Sequence, residues 1–321
     1  VGERLLLDLL QRGEWRSGAE LAADLGVSRA AVWKRILRLR AAGYEIDAVA
    51  GRGYRLREAP DRLLPREIAR HVEPGARFEV VHRDEVDSTN TVAASLARSG
   101  APEGTAVVAE MQTAGRGRLG RSWCSPRGKN LYLSLVLRPP LAPTAVPQLT
   151  LIAAVSVVRA VIEIASATPA IKWPNDVQLN GRKLAGILTE LEAEAERVRF
   201  IVLGIGVNLN VTPEDLPEEL RATATSLRIA SGQPVDRCRF TGRLLSHWAR
   251  DYAAFLRSGF AALRPDYERY HGLDGRAVRV SGATSVSGIV RGVSDDGALL
   301  VDTGDRIERV VAGEVTLRGS A

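Results

Sequence analysis

GRGRLGR, residues 115–121, packs three glycines and three arginines into seven positions. A helix through such a run would lose backbone entropy at each glycine, roughly 0.5–1 kcal/mol relative to alanine, and would crowd three like charges. The stretch therefore has to be a loop. Arg116, Arg118 and Arg121 have no acid anywhere in the surrounding QTAGRGRLGRSW (112–123). The partner that offsets their repulsion is expected to be an anion.

The 321 residues suffice for two or three domains, and 45% hydrophobic with 26% charged content is ordinary for a globular chain. Two cysteines, Cys124 and Cys238, do not make a disulfide framework, which fits a reducing cytosol. The opening VGERLLLDLLQRGEW has no long apolar h-region and no cleavage site. The most apolar stretch, LTLIAAVSVVRAVIEIA, is broken by Arg159 and Glu163 and reads as a buried helix rather than a membrane span. A net charge of +6 allows an anionic partner; genome composition is the competing explanation for the excess of arginine over lysine. The expectation is a soluble, cytoplasmic protein with no membrane partner.

Three segments separate by pattern. In residues 1–57, Ser17 precedes a short helix with Leu21 and Leu25 on one face, a turn falls at Gly26, and Ser28 is a good N-cap for a second helix. Val32, Ile36 and Leu39 share the apolar face of that helix, while residues 28–40 carry Arg29, Lys34, Arg35, Arg38 and Arg40 and no acid. Two short helices joined by a glycine turn, the second basic, describe a helix-turn-helix. YEIDAVAGRGYRLR then alternates like a hairpin turning at Gly51 and Gly53, which makes a wing. Candidate DNA contacts are Ser28, Arg29, Trp33, Lys34, Arg35, Arg38 and, on the wing, Arg52. A small structural domain with a solvated basic face is the competing description.

EAPDRLLP (58–65) looks like a linker. Beyond it, TAVVAE, LYLSLVL, LAGILTEL and RFIVLGIGV are runs of strand length, and 148–166 and 240–257 are helical by period. From about Asp274 short alternating runs with glycine turns suggest a small barrel.

GRGRLG matches the G-x-G-x-x-G of dinucleotide-binding folds but fails on context: RSWCSPRGKN cannot open a helix, and no acid follows about 20 residues on. Direct anion recognition fits better, because glycines allow close backbone approach and arginines present planar charged forks to carboxylate and phosphate. Gln112, Arg127 and Lys129 extend the cluster, and Trp123 closes it with an aromatic surface. A mobile basic surface turn is the alternative. There is no Ser/His/Asp or Cys/His signature, and the four histidines have no metal-ligand spacing.

DSTN (87–90), QTAGRGRLGRSW (112–123), KWPNDV (172–177), GRKLAGILTE (181–190) and GIGVNLN (204–210) resemble, in order and spacing, the motifs of biotin protein ligases. The flanking segments resemble those of the bifunctional members, which also repress biotin-synthesis genes. The resemblance covers essentially the whole chain. It implies an α+β multi-domain fold: a winged helix-turn-helix at 1–57, a central mixed α/β ligase domain of class II synthetase-like type at 66–270, and a small β-barrel at 274–321. It implies an enzyme that joins biotin to ATP as biotinyl-5'-AMP, with Mg²⁺ arriving on the nucleotide, and passes biotin to a lysine of the biotin carboxyl carrier protein of acetyl-CoA carboxylase. Biotinyl-5'-AMP would also be the corepressor, promoting a homodimer that binds operator DNA.

Residue by residue, the resemblance implies that Ser88, Thr89, Asn90 and Gln112 hold the biotin head group, and that Gly204 and Gly206 let biotin lie against the backbone. By itself DSTN would equally serve as a cap for a helix starting near Thr91. Gly115, Arg116, Gly117 and Arg118 match the loop that orders over biotin and shields the adenylate, and Lys183 matches a lysine that contacts carboxylate and then phosphate. Arg121, Trp123, Asn175, Asn208 and Arg318 join Arg116, Arg118 and Lys183 around the adenylate. Asp176, the only acid close to the basic motifs in sequence, is expected to position Mg²⁺ or assist proton loss from the acceptor lysine; an Asx-turn role is the bland alternative. Arg118, Lys183 and Asp176 are thus the catalytic candidates. Two departures stand out: Leu119 and Ser122 make the loop less basic, and LPEELRATATSLR (216–228), expected to cover the adenylate, lacks a tryptophan to stack on adenine. The rivals are a lipoate or octanoate ligase, a biotin-sensing transcription factor without ligase activity, and a ligase whose helix-turn-helix no longer regulates.

Overall fold

Residues 2–10, 13–194, 197–282 and 285–317 are described by a computed structural model. The chain divides into two units, 1–62 and 63–321, and the division falls inside the segment read as a linker.

In the first unit, helices α1 (Gly2–Leu10), α2 (Gly18–Leu25) and α3 (Arg29–Ala41) precede strands β1 (Glu45–Val49) and β2 (Gly53–Glu58). Ser17 accepts from the Glu20 amide while Glu20 accepts from the Ser17 amide, a reciprocal cap that starts α2. Gly26 ends it with a left-handed φ of 61°, and Ser28 caps α3 through the Ala31 amide. Val32, Ile36 and Leu39 pack against Leu6, Leu10, Leu21 and Tyr44. Both helices and the wing match the sequence expectation. At Gly53 a Cβ would sit 2.1 Å from the Arg16 carbonyl oxygen, which permits the two backbone hydrogen bonds between Arg16 and Tyr54.

The second unit opens with α4 (Pro65–Ala69), β3 (Glu79–Arg83), α5 (Thr89–Arg98), β4 (Thr105–Ala109), β5 (Leu131–Leu137) and α6 (Val146–Ala165). It continues with β6 (Ala170–Lys172), β7 (Asp176–Leu179), β8 (Arg182–Glu194), β9 (Arg197–Val207), α7 (Glu218–Arg221), α8 (Leu227–Ser231), α9 (Arg237–Ser258) and α10 (Arg264–Tyr270). Seven strands form one sheet in the order β3-β4-β5-β9-β8-β7-β6, with β3 and β4 parallel and the other pairs antiparallel. β5 is buried at every position because helices cover both faces: α6 and α9 on one, α5 on the other. Helix α6 is long and apolar enough to cross a membrane, yet it is two-thirds buried in this core, as its Arg159 and Glu163 suggested.

The last strands, β10 (Ala277–Ser281), β11 (Val286–Val293), β12 (Leu299–Asp302), β13 (Ile307–Val310) and β14 (Glu314–Leu317), pair antiparallel in the order β13-β12-β11-β10-β14. No ladder joins β13 to β14 among the described residues, so the sheet is open where a closed barrel was expected. Its apolar face is covered by the central layer: Val278, Val290, Leu299 and Val315 belong to the same core as α6, and Trp173 Nε1 donates to the Gly297 carbonyl at 3.1 Å. A sheet whose inner face is covered by another layer need not close on itself to bury it.

Candidate functional site

Ser88 occupies the N-cap position of α5, but its side chain makes no capping bond. Thr89 and Asn90 lie inside the first turn, each 4% exposed, so the helix-cap description of DSTN does not hold. Thr89 donates to Gln112 Oε1 from both its amide (2.9 Å) and its hydroxyl (3.1 Å), and Gln112 Nε2 donates to Ser125 Oγ (2.9 Å). Ser134 Oγ, on β5, lies 2.8 Å from Thr89 Oγ1 and 2.6 Å from Asn90 Oδ1. The other end of the Asn90 amide donates to Glu190 Oε2 on β8 at 2.7 Å. Ser88, Thr89, Asn90 and Gln112 wall a narrow cavity of about 50 Å³, with Ser125, Ser134 and Glu190 behind them as hydrogen-bond partners. A Cβ on Gly204 would fall 2.3 Å from Asn90 Oδ1, and one on Gly206 would fall 2.6 Å from the Trp123 ring. Protein side chains thus make the close approach at both glycines.

The glycine–arginine stretch folds as a tight hairpin. Gly117 N donates to Arg121 O at 2.7 Å and Trp123 N to Gly115 O at 2.8 Å. At Gly115 a Cβ would sit 2.6 Å from the Trp123 carbonyl oxygen. At the tip Leu119 holds a left-handed φ of 56°, uncommon for a non-glycine residue, and is 74% exposed. No helix follows, in keeping with the rejected dinucleotide motif. The arginines do meet acids, from far along the chain: Arg116 pairs with Glu190 at 3.1 Å and Arg121 with Glu314 at 2.5 Å. That corrects the expectation of Asp176 as the only nearby acid. Arg118 instead bonds neutral oxygens, Asn175 Oδ1 at 3.1 Å and Gly313 O at 3.5 Å. Arg127 and Lys129 pair with Glu85 and Asp215, so they do not extend the cluster.

A second cavity of about 480 Å³ adjoins the first across Trp123, Asn175 and Lys183, within the size range of small-molecule sites. The Trp173–Pro174 peptide is cis, and the turn leads into Asn175 and Asp176. Asn175 is fixed by exchanging hydrogen bonds with the Ile187 backbone. Lys183 Nζ lies 2.7 Å from Asp176 Oδ1 and 5.6 Å from the Trp123 ring centroid. The Lys183 backbone also exchanges hydrogen bonds with Thr223 and Thr225, which straps the 216–228 segment beside β8. Leu216, Leu220 and Ala224 from that segment line the larger cavity. Asn208 lines it too, and its amide is held by Asn130 Nδ2 (3.1 Å) and the Thr225 carbonyl (3.0 Å). Burial pushes the Cys124 thiol up, with Asp215 and Glu219 adding to it, so Cys124 lines this cavity as a neutral thiol. Arg318 lies outside the described residues.

Sequence reasoning missed Ser134, Asn130 and Glu314, and Glu190 went unassigned inside a quoted motif. Long-range polar pairing leaves no local period to read. No group of three or more His, Cys, Asp or Glu side chains gathers among the described residues. A Mg²⁺ ion would therefore depend on nucleotide phosphates for most of its ligands, as this hard, strongly hydrated cation usually does, and Asp176 is a carboxylate at the cavity wall.

On α3, Arg29, Trp33, Lys34 and Arg38 are exposed, Trp33 by 52%, while Arg35 is half-buried and Ser28 is committed to its cap. Arg40, counted with the basic face in sequence, instead donates to the Ile46 carbonyl at 3.0 Å and ties α3 to β1. On the wing Arg52 and Arg55 stand over the Trp15 ring at 5.3 and 4.8 Å.

Residues 3–55 match the HTH domain, residues 83–208 the biotin/lipoate A/B protein ligase family, and residues 275–318 the biotin protein ligase C terminal domain. The bifunctional ligase/repressor BirA of Bacillus subtilis (strain 168) is 41% identical over 312 residues, covering 95% of this chain and 94% of the relative. The BirA of Escherichia coli (strain K12) is 34% identical over 98% of this chain and 97% of its own length. Among solved structures, the biotin protein ligase from Aquifex aeolicus in complex with biotin and ATP superposes with a TM-score of 0.66 at 32% identity, covering 75% of this chain and 98% of that one. With similarity of this extent at both ends and across the centre, the chain belongs to the bifunctional ligase/repressors of the biotin/lipoate protein ligase family.

Proposed function

We propose that the chain forms biotinyl-5'-AMP from biotin and ATP, transfers biotin to a lysine of a biotin carboxyl carrier protein, and binds operator DNA through α3 and the wing. The observation that carries the site assignment is the pair of adjoining cavities with Lys183 between them and Arg118 facing both. Of the three loop arginines, Arg118 alone lacks a carboxylate partner among the described residues. Its charge is the one left for an incoming anion.

The biotin carboxylate oxygen attacks the α-phosphorus of ATP, and the bond to pyrophosphate breaks. Both reactants are anionic, so oriented cations lower the barrier without any covalent nucleophile. Lys183 and Arg118 supply that charge, Asn175 holds Arg118, and Ser88, Thr89, Asn90 and Gln112 hold the head group in the narrow cavity. Gly115 and Gly117 shape the loop, Arg116, Arg121, Trp123 and Asn208 complete the adenylate's surroundings, and Arg318 is assigned there by family likeness. Asp176 would be the carboxylate to hold a Mg²⁺ ion arriving with the nucleotide, which would supply neutralisation of phosphate charge. In the second step the acceptor amine attacks the acyl carbon, AMP leaves and the amine loses its proton; assisting that loss is the alternative role for Asp176.

In this scheme residues 1–57 read DNA, 66–270 carry the chemistry, and 274–321 buttress the loop through Glu314 and Gly313. The central sheet is of class II synthetase-like type, and the terminal sheet is a small barrel left open. The adenylate-loaded form is a cytoplasmic homodimer.

The test supplies ATP, Mg²⁺ and an unmodified carrier domain, and compares biotin, lipoate and octanoate by intact mass. A mass shift with biotin alone is expected. A shift with lipoate or octanoate would move the activity to the sister enzymes, and binding of biotin with no shift would make the protein a sensor.

A further inference from the structure

Glu190 Oε2 receives two donors from different parts of the site: Asn90 Nδ2 at 2.7 Å and Arg116 Nη2 at 3.1 Å. Asn90 belongs to the narrow cavity's wall, and Arg116 to the glycine–arginine loop. Asn90 has little freedom to compensate for a change at either neighbour. Its Oδ1 is 2.6 Å from Ser134 Oγ and sits in the notch over Gly204, where a Cβ would come within 2.3 Å. With one end of the amide pinned, the other end fixes where the Glu190 carboxylate stands. Arg116, 48% exposed on a glycine-flanked backbone, takes its position from Glu190.

We propose that Glu190 is a positioning residue that couples the head-group wall to closure of the loop. A ligand that engages Asn90 orders Glu190, and Glu190 in turn holds Arg116 over the cavity. This rests on the adenylate-forming reading of the site. The ion pair is half-exposed, and such pairs add little to folding stability. Hydrogen bonds to a carboxylate are nonetheless roughly twice as strong as neutral ones. The consequence is therefore expected in the loop rather than in the melting temperature.

Glu190→Gln in the full chain keeps the shape and one carbonyl oxygen where Oε2 accepts both donors, but removes the charge and turns the other oxygen into a donor. Two quantities are measured: trypsin cleavage after Arg116, Arg118 and Arg121 with and without saturating biotin, and the rate at which preformed biotinyl-5'-AMP leaves. The parent loop should be protected by biotin. The variant should melt within a few degrees of the parent, lose roughly fivefold of that protection and release adenylate roughly fivefold faster. Arg116→Ala, read at the Arg118 and Arg121 sites that it retains and in the release rate, should behave alike, and the double variant should be no worse than either single, since both remove one link. A purely structural Glu190 would lower the melting temperature and leave loop protection and release rate at parental values. That result, or additive effects in the double variant, overturns the coupling. A parent that forms no adenylate at all would bring down the site reading first, and the coupling with it.

Discussion

Helix α3 carries Arg29, Lys34, Arg35 and Arg38, and the 115–121 loop carries Arg116, Arg118 and Arg121. On the helix, Arg29, Lys34 and Arg38 project into solvent; Arg38 is 3.6 Å from Glu3, and that pair is itself largely exposed. In the loop every arginine is oriented by a partner brought from elsewhere in the chain: Glu190, Glu314, or Asn175 with Gly313. The two arrangements suit two kinds of anion. A duplex is an extended polyanion whose binding depends on counterion release, so solvated, adaptable charges serve it. A single carboxylate that becomes a phosphate ester needs charges already in place, because reorganising them during the reaction adds to the barrier. Both segments are basic and free of acids; the constraint on the side chains differs.

Three measurements press on that contrast. Gly204→Ala should act most strongly, since its Cβ would displace Asn90 from the wall of the constrained site. Biotin affinity by calorimetry should fall roughly ten- to a hundredfold, from an overpacking cost of about 1–3 kcal/mol; an affinity within twofold of the parent would mean that the wall is as adaptable as the helix. Arg118→Gly should release adenylate about tenfold faster, the loss of one charge-assisted contact, so that activated biotin reaches exposed lysines of bystander proteins. If its leakage matched the parent's, the loop would be no more than a solvated basic turn. Lys34→Ala with Arg38→Ala should lower the slope of log affinity for operator DNA against log salt by about two while ligation is unchanged. Loss of ligation in the folded double variant would break the separation between the two sites.

The smallest effect at neutral pH lies outside both basic segments. Burial holds the His271 pKa down to about 4, against a weaker upward pull from Asp274, and neither ring nitrogen has a hydrogen-bond partner among the described residues. The folded state thus resists protonation that the unfolded chain accepts below about 6.5. Stability is fully present above that pH and is lost as pH falls from about 6.5 to about 4, by a few kcal/mol at most. In thermal melts across this range His271→Phe should flatten the decline. A parallel decline in parent and variant would assign the acid sensitivity to other groups.

Much of the frame was legible because its signals are local. Ser17, Gly26 and Ser28 announce the helix boundaries through caps, and LYLSLVL and RFIVLGIGV announce buried strands through unbroken apolar runs. The site's motifs could be named in order from the family resemblance. Other features were less legible for equally physical reasons. DSTN taken alone suggests a cap because cap chemistry is local, whereas Ser134 on the sheet behind α5 and Gln112 give Asn90 and Thr89 partners outside their own helix. The terminal strands look like a barrel because alternation records that one face is buried, without recording what buries it.

The sequence by itself determined the helix-turn-helix and the longest apolar helices and strands, that no α-helix runs through residues 115–121, and which side chains offer charge to an anion. Only the tertiary structure decided how that charge is apportioned. Glu190 stands 74 positions from Arg116, and Glu314 is more than twice as far along the chain from Arg121. Electrostatic pairing depends on distance in space, and no periodicity along the chain encodes it. Folding therefore neutralises Arg116 and Arg121, leaves Arg118 with neutral partners, and links the loop to the cavity wall through one carboxylate.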